Sequence, residues 1–188
     1  MTEHKLNLHL KPIRQGDLDG LCGVYSILNA LQWLLPKARD TDYLTKLFDK
    51  TIGTIYTIDN IRNGGEEPDL LKVFQFVKKQ VVADFKSDMK LTALANGADT
   101  FKRPDQAMQS MFDEKKDGVF IFGFEGFDSH WTVARGLTVN EVILFDSWEY
   151  VTFDRRQFVW RKAVKDLAKS KKIVIEPKDL NWIHIDSQ

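Results

Sequence analysis

Four side chains of this sequence are of the types that carry acyl chemistry, and they lie far apart in the chain: Gln15, Cys22, His130 and Asp146. A thiol attacks a carbonyl carbon only as thiolate, and a free cysteine of pKa ~8.5 is mostly protonated at neutral pH, so a nucleophilic cysteine needs an activating setting. Cys22 follows the turn-like run Gly16-Asp17-Leu18-Asp19-Gly20 at the expected start of an apolar helix, whose positive end favours an anion. A base is the second requirement, and the chain offers four histidines. His4 lies near the terminus, and His9 and His184 sit in alternating, strand-like segments where a satisfied or exposed histidine is ordinary. His130 opens a strand-like segment after the turn Glu125-Gly126-Phe127-Asp128-Ser129, so its ring is expected to project from a sheet edge towards a cleft. The next strand-like segment ends in Asp146, and antiparallel pairing through residues 137–140 sets the start of one strand beside the end of the other. A carboxylate there would hold the second ring nitrogen and stabilise the imidazolium. The oxyanion formed on attack needs N–H donors, for which the Cys22 backbone and the Gln15 amide are suited.

The elements that must bring these groups together differ between the two halves. In Leu6-Asn7-Leu8-His9-Leu10 apolar and polar residues alternate as in a short strand. From Cys22 to Leu35 the apolar residues Val24, Ile27, Leu28, Leu31, Trp33 and Leu34 recur at helical spacing and Pro36 marks the end, which predicts a central buried helix. Residues 40–50 predict a second helix capped by Asp40 or Thr41, and Glu66 to Val82 a third. The runs 119–124, 131–135, 141–145, 172–175 and 182–185 are rich in β-branched and aromatic residues and separated by turn residues, which predicts an antiparallel, meandering sheet. A further helix is expected from about Arg155 to Lys169, and the polar stretch Asn96 to Asp105 is expected to cross between lobes. Helices followed by strands imply an α+β fold.

Composition narrows the classes. With 188 residues, 43% of them apolar, the chain has material for one well-buried domain, 1–188, with a helical lobe at about 1–95 and a β-rich lobe at about 105–188. Twenty-seven basic residues balance twenty-seven acidic ones, so no overall field draws the protein to nucleic acid or anionic lipid. Cys22 is the only cysteine, which excludes an internal disulfide and zinc sites needing two thiolates, and there is no H-E-x-x-H. No cofactor and no metal are expected. No basic-then-apolar leader and no run of about 18 apolar residues is present, so synthesis in the cytoplasm without membrane insertion is expected, with export by another route left open.

The ordered blocks Gln15-Gly16, Gly20-Leu21-Cys22-Gly23-Val24-Tyr25-Ser26, His130-Trp131-Thr132-Val133-Ala134-Arg135-Gly136 and Asp146-Ser147-Trp148 resemble the papain-like cysteine peptidase superfamily. Asp in place of the family's Asn in the last block is similar to the bacterial bacteriocin-leader peptidases. The resemblance spans residues 15 to 148. It implies a papain-like α+β fold: a helical N-terminal lobe with a central nucleophile helix, and an antiparallel β-sheet C-terminal lobe. It implies Cys22 as nucleophile, His130 as base, Asp146 as its orienting partner and Gln15 at the oxyanion, with Gly20, Trp131 and Trp148 lining the substrate cleft. Because papain works with asparagine at the third position, Asp146→Asn would keep part of the turnover. The chain departs from papain in placing the amide seven residues before Cys22, one more than papain has, and in lacking the family's paired disulfide cysteines, which fits a reducing compartment.

Such a site serves several reactions. Hydrolysis of a peptide or isopeptide bond in a peptide or protein substrate is the leading expectation. Deamidation or transglutaminase-type acyl transfer on another protein, as in bacterial effectors of this superfamily, is the rival within enzymes. A catalytically inactive module that binds a peptide is the rival from another class.

Overall fold

A computed structural model describes residues 10–16, 20–57, 61, 70–94, 100–115 and 117–186. Among the described residues, four α-helices and eight strands make a mixed α+β fold: α1 Cys22–Leu34, α2 Thr41–Ile55, α3 Leu70–Phe85, β1 Asp88–Ala93, α4 Pro104–Glu114, β2 Gly118–Gly126, β3 His130–Leu137, β4 Glu141–Leu144, β5 Thr152–Asp154, β6 Phe158–Trp160, β7 Ile173–Ile175 and β8 Leu180–Asp186. The sheet runs in the order β1-β8-β2-β3-β4-β5, with every pair antiparallel. β7 pairs with the end of β2 and, in parallel, with β6.

The unbroken apolar run of β2 has a direct physical meaning, since successive side chains point to opposite faces and both faces are covered. Val119 and Ile121 join α1, α2 and α3 in one apolar cluster. Phe120, Phe122 and Phe124 join α4, β6 and β7 in another. α1 lies in the first cluster with every residue from Val24 to Trp33 buried. α2 begins at Asp40, whose carboxylate accepts the Tyr43 N–H at 2.8 Å, the capping arrangement that its sequence favours.

Three expectations are corrected. The helix predicted from Arg155 to Lys169 is a strap of 3-10 turns around the short strand β6. Phe158 and Trp160 are buried and Val159 only half-buried, a period of two that sheet packing enforces over the helical spacing of the flanking basic residues. β1, within the half expected to be helical, forms the sheet edge beside β8. Helix α4 was not anticipated: it opens with Pro104 at its first turn, where a missing N–H costs nothing, and buries only Ala107 and Met108 of its apolar residues fully. The predicted strand through Leu6–Leu10, the turn at 17–19, the first turns of the predicted third helix and the loop 63–67 lie wholly or largely outside the described residues. No helix among the described residues is long and apolar enough to cross a membrane.

Candidate active site

Cys22 is the first residue of α1 and is partly exposed. No side chain caps this helix end and no acidic residue stands in its first turn. Within that first turn, therefore, no carboxylate offsets the positive end of the helix. Ser26, one turn further on, donates its hydroxyl to the carbonyl of Trp131 at 2.8 Å. This bond joins the residue one turn after Cys22 to the residue next to His130, and so fixes the helix against β3 at the height where thiol and imidazole meet.

His130 is the first residue of β3 and is buried to 3% exposure. Its Nε2 lies 2.8 Å from Oδ2 of Asp146, itself 2% exposed. Asp146 reaches this place because pairing continues past β4: the Phe145 N–H donates to the Val133 carbonyl at 2.9 Å. Oδ1 of Asp146 accepts the backbone N–H groups of Trp148 at 2.7 Å and Tyr150 at 3.3 Å. The buried Thr132 hydroxyl faces the same carboxylate without a well-aligned bond. A carboxylate can only accept, so Nε2 carries the proton and Nδ1 is left for Cys22, with which His130 is in hydrogen-bond contact.

The electrostatics follow from this arrangement. Burial opposes the charged imidazole, but the hydrogen bonds to Asp146 and Cys22 and the negative charges there outweigh it and lift the pKa of His130 to about 9. Burial also opposes ionisation of Asp146, yet the His130 bond and charge, with the Trp148 N–H, hold its carboxyl below the ordinary range. The linkage signs are opposite. An unfolded imidazole titrates near ~6.5, so the stability His130 contributes is complete below that pH and is lost as pH rises through about 9. Asp146 contributes above ~3.9, its unfolded value, and loses its contribution as pH falls through its lower folded value. Thermal unfolding from pH 6 to pH 10 is expected to show a fall in Tm of several degrees in the wild type and a smaller fall in His130→Gln.

Gln15 is delivered by a segment strapped to α1. Asn29, fully buried, accepts the Ile13 N–H at 2.7 Å and donates to the Ile13 carbonyl at 3.1 Å, and Gln32 donates to the Lys11 carbonyl at 3.2 Å. Beyond it the Gln15 N–H donates to the Ser147 carbonyl at 3.2 Å, and Arg14 pairs with Glu149. The segment is thus tied on one side to α1 and on the other to the turn after Asp146. Asn29→Ala leaves the Ile13 N–H and carbonyl without partners and is expected to cost about 1–3 kcal/mol. Thermal unfolding measures that cost, and turnover of the folded fraction reports the misplacement of Gln15.

The three expected cleft residues are placed differently. Gly20 is exposed and donates its N–H to the Ile61 carbonyl at 3.1 Å. Trp131 is half-buried, lies over Gly123 and packs with the α1 cluster. Trp148 is 45% exposed and stacks on the His130 ring, centroids 5.1 Å apart at 16°. Two neighbours escaped sequence reasoning. Tyr56, which ends α2, has its phenol pKa pushed up by burial and by the charge of Cys22. Tyr150 sets its ring edge-on to His130 at 6.0 Å and donates its hydroxyl to Asp128 at 2.8 Å. No spacing rule points to either, because both come near the site through loop packing.

Among the described residues no group of three or more His, Cys, Asp and Glu side chains could hold a metal ion. Against protein-family models, curated proteins and solved structures, the chain matches nothing.

Proposed function

We propose that this protein is a papain-like thiol hydrolase that cleaves amide bonds in peptides or proteins through an acyl-enzyme on Cys22. The observation that carries the reading is the buried His130 ring, bonded to Asp146 through Nε2 and in contact with Cys22 at the uncapped start of α1. Nothing in the packing of a structural cysteine calls for a buried imidazole held at a fixed tautomer by an ionised carboxylate.

In the proposed reaction Nδ1 of His130 takes the thiol proton and Sγ of Cys22 attacks the carbonyl carbon. The oxyanion that forms is received by the Cys22 N–H and the Gln15 amide. The imidazolium then gives its proton to the leaving amine as the C–N bond breaks, leaving a thioester. Water, deprotonated by His130, attacks that thioester and releases the acid and the thiol. Asp146 stays ionised throughout and keeps the ring oriented. A sulfur that must remain reduced suits a reducing, cytoplasmic setting.

The test is incubation of the protein with a diverse peptide mixture, followed by mass spectrometry. Cleaved bonds, each adding one water, together with an acyl adduct on Cys22 trapped by acid quench, support the proposal. Conversion of Gln to Glu without cleavage, or amine incorporation, would reassign the chemistry to deamidation or acyl transfer. No change in any peptide would leave a binding module.

A further inference from the structure

A cavity of about 400 Å³ lies between the segment 11–14, α1 and the first half of α2, and Cys22, His130 and Asp146 do not line it. Its volume is in the range of small-molecule sites. Its apolar wall is firm because it belongs to the core: Leu28 and Leu44 are buried, and the rings of Tyr25 and Phe48 lie 5.1 Å apart at 41°. One polar side chain of the wall is only half used. Gln32, 8% exposed, donates Nε2 to the Lys11 carbonyl at 3.2 Å, and since a carbonyl only accepts, this bond fixes which way the amide stands. Its Oε1 is buried and accepts from no donor. A buried acceptor left unpaired is unfavourable, and one in the wall of a cavity can be satisfied by what the cavity binds.

Charge completes the pattern. Of the two cations that line the cavity, Arg14 pairs with Glu149, whereas Lys11 is exposed and has no ion pair. No acidic residue stands among the described residues of the lining. Gln32 and Lys11 are neighbours through the Nε2 bond, so a ligand that meets both carries its donor and its negative charge close together. An N-acylated amino acid has that arrangement, because one carbon bears the N–H, the carboxylate and the side chain. We infer that this cavity binds an N-acylated amino acid with a large apolar side chain, the chemistry of the free acid and of a peptide's C-terminal residue alike. The N–H is given to Gln32, the carboxylate to the Lys11 ammonium, and the side chain lies on Leu28, Leu44 and the two rings. The site does not depend on the reaction assigned to Cys22.

The test is calorimetric titration of the full-length protein with N-acetylphenylalanine, its amide, its N-methyl derivative and N-acetylglycine. Burial of one large apolar side chain corresponds to about a tenfold or greater gain in affinity, so N-acetylglycine is expected to bind at least about tenfold more weakly than N-acetylphenylalanine. Hydrogen bonds to charged groups carry a similar weight, so the amide is expected to lose about tenfold, and the N-methyl derivative several-fold. Lys11→Gln should weaken the acid to the level of the amide and leave the amide unchanged. Thr45 is exposed on the rim, so Thr45→Trp should close the cavity and abolish binding, while Thr45→Ala binds as the wild type does. Acetyl-Ala-Ala-Phe binding as tightly as N-acetylphenylalanine would identify a peptide end as the source, and its exclusion the free acid, each in keeping with the site. An amide that binds as tightly as the acid, binding undiminished in Thr45→Trp, or no binding of any probe at millimolar concentration would overturn the inference.

Discussion

Cys22→Ala is expected to abolish turnover, and His130→Ala to slow the alkylation of Cys22 at pH 6 by about two orders of magnitude. Groups that act as a unit fail together, and loss of the nucleophile in comparable sites costs about 10⁶ in turnover. The alkylation argument is independent of any substrate. A thiol without a base beside it, of pKa ~8.5, is only about 0.3% thiolate at pH 6, so fast alkylation there needs a neighbouring group that takes the proton. In the wild type the imidazole beside it is buried, bonded to an ionised Asp146 and able to hold the proton up to about pH 9. On the proposed mechanism the same value sets the alkaline limit of turnover, since the leaving amine needs a protonated ring. Turnover should decline as pH rises through about 9. Alkylation with a small haloacetamide, read by intact mass, checks the first claim. A slow rate identical in wild type and His130→Ala would mean a structural cysteine.

Asp146→Asn is expected to lose most of the activity, about 10⁴-fold, the loss seen when the orienting aspartate of a Ser-His-Asp triad becomes asparagine. The family resemblance favours the opposite outcome, because papain works with an asparagine at this place. The difference lies in what surrounds the carboxylate here. Oδ1 receives two backbone N–H groups, from Trp148 and Tyr150, and Oδ2 receives His130. An asparagine has one acceptor oxygen. If that oxygen stays with the two backbone donors, its NH₂ faces Nε2 and requires that nitrogen to be unprotonated, which turns the ring to the wrong tautomer. If the oxygen turns to His130, the NH₂ meets two N–H groups and both are left unsatisfied. Either arrangement also removes the negative charge that favours the imidazolium. Activity of Asp146→Asn within a few-fold of wild type would show that charge and tautomer control at this position are unimportant. His130 in this variant is expected to titrate lower than in the wild type, which NMR of the ring checks separately.

Residue type and periodicity decided much of this protein before any tertiary contact was known. The helical spacing after Cys22 predicts α1, because a fully buried helix needs apolar residues on every face, and Val24 to Trp33 are buried throughout. The run Val119 to Phe124, rich in β-branched and aromatic residues, predicts a strand, and β2 forms there, its two faces covered by separate apolar clusters. The order of Gln15, Cys22, His130 and Asp146 was legible as well, and the structure brings His130 against both Cys22 and Asp146.

What sequence could not decide depends on contacts between distant segments. Residues 155–169 carry helical spacing locally, but the parallel pairing of β6 with β7 and the burial of Phe158 and Trp160 hold 158–160 extended and leave only short 3-10 turns on either side. Trp131 and Trp148 look alike as cleft candidates. Only packing separates them, one laid over Gly123 and the other stacked on the imidazole in water. Asn29 reads as an ordinary polar residue in an apolar helix, and becomes the clamp on Ile13 because that backbone crosses exactly above it. Periodicity reports which way a side chain faces within its own element. Tautomer, charge and access at the site are set by groups 16 to more than 100 residues apart, and only the folded chain brings them within hydrogen-bond distance.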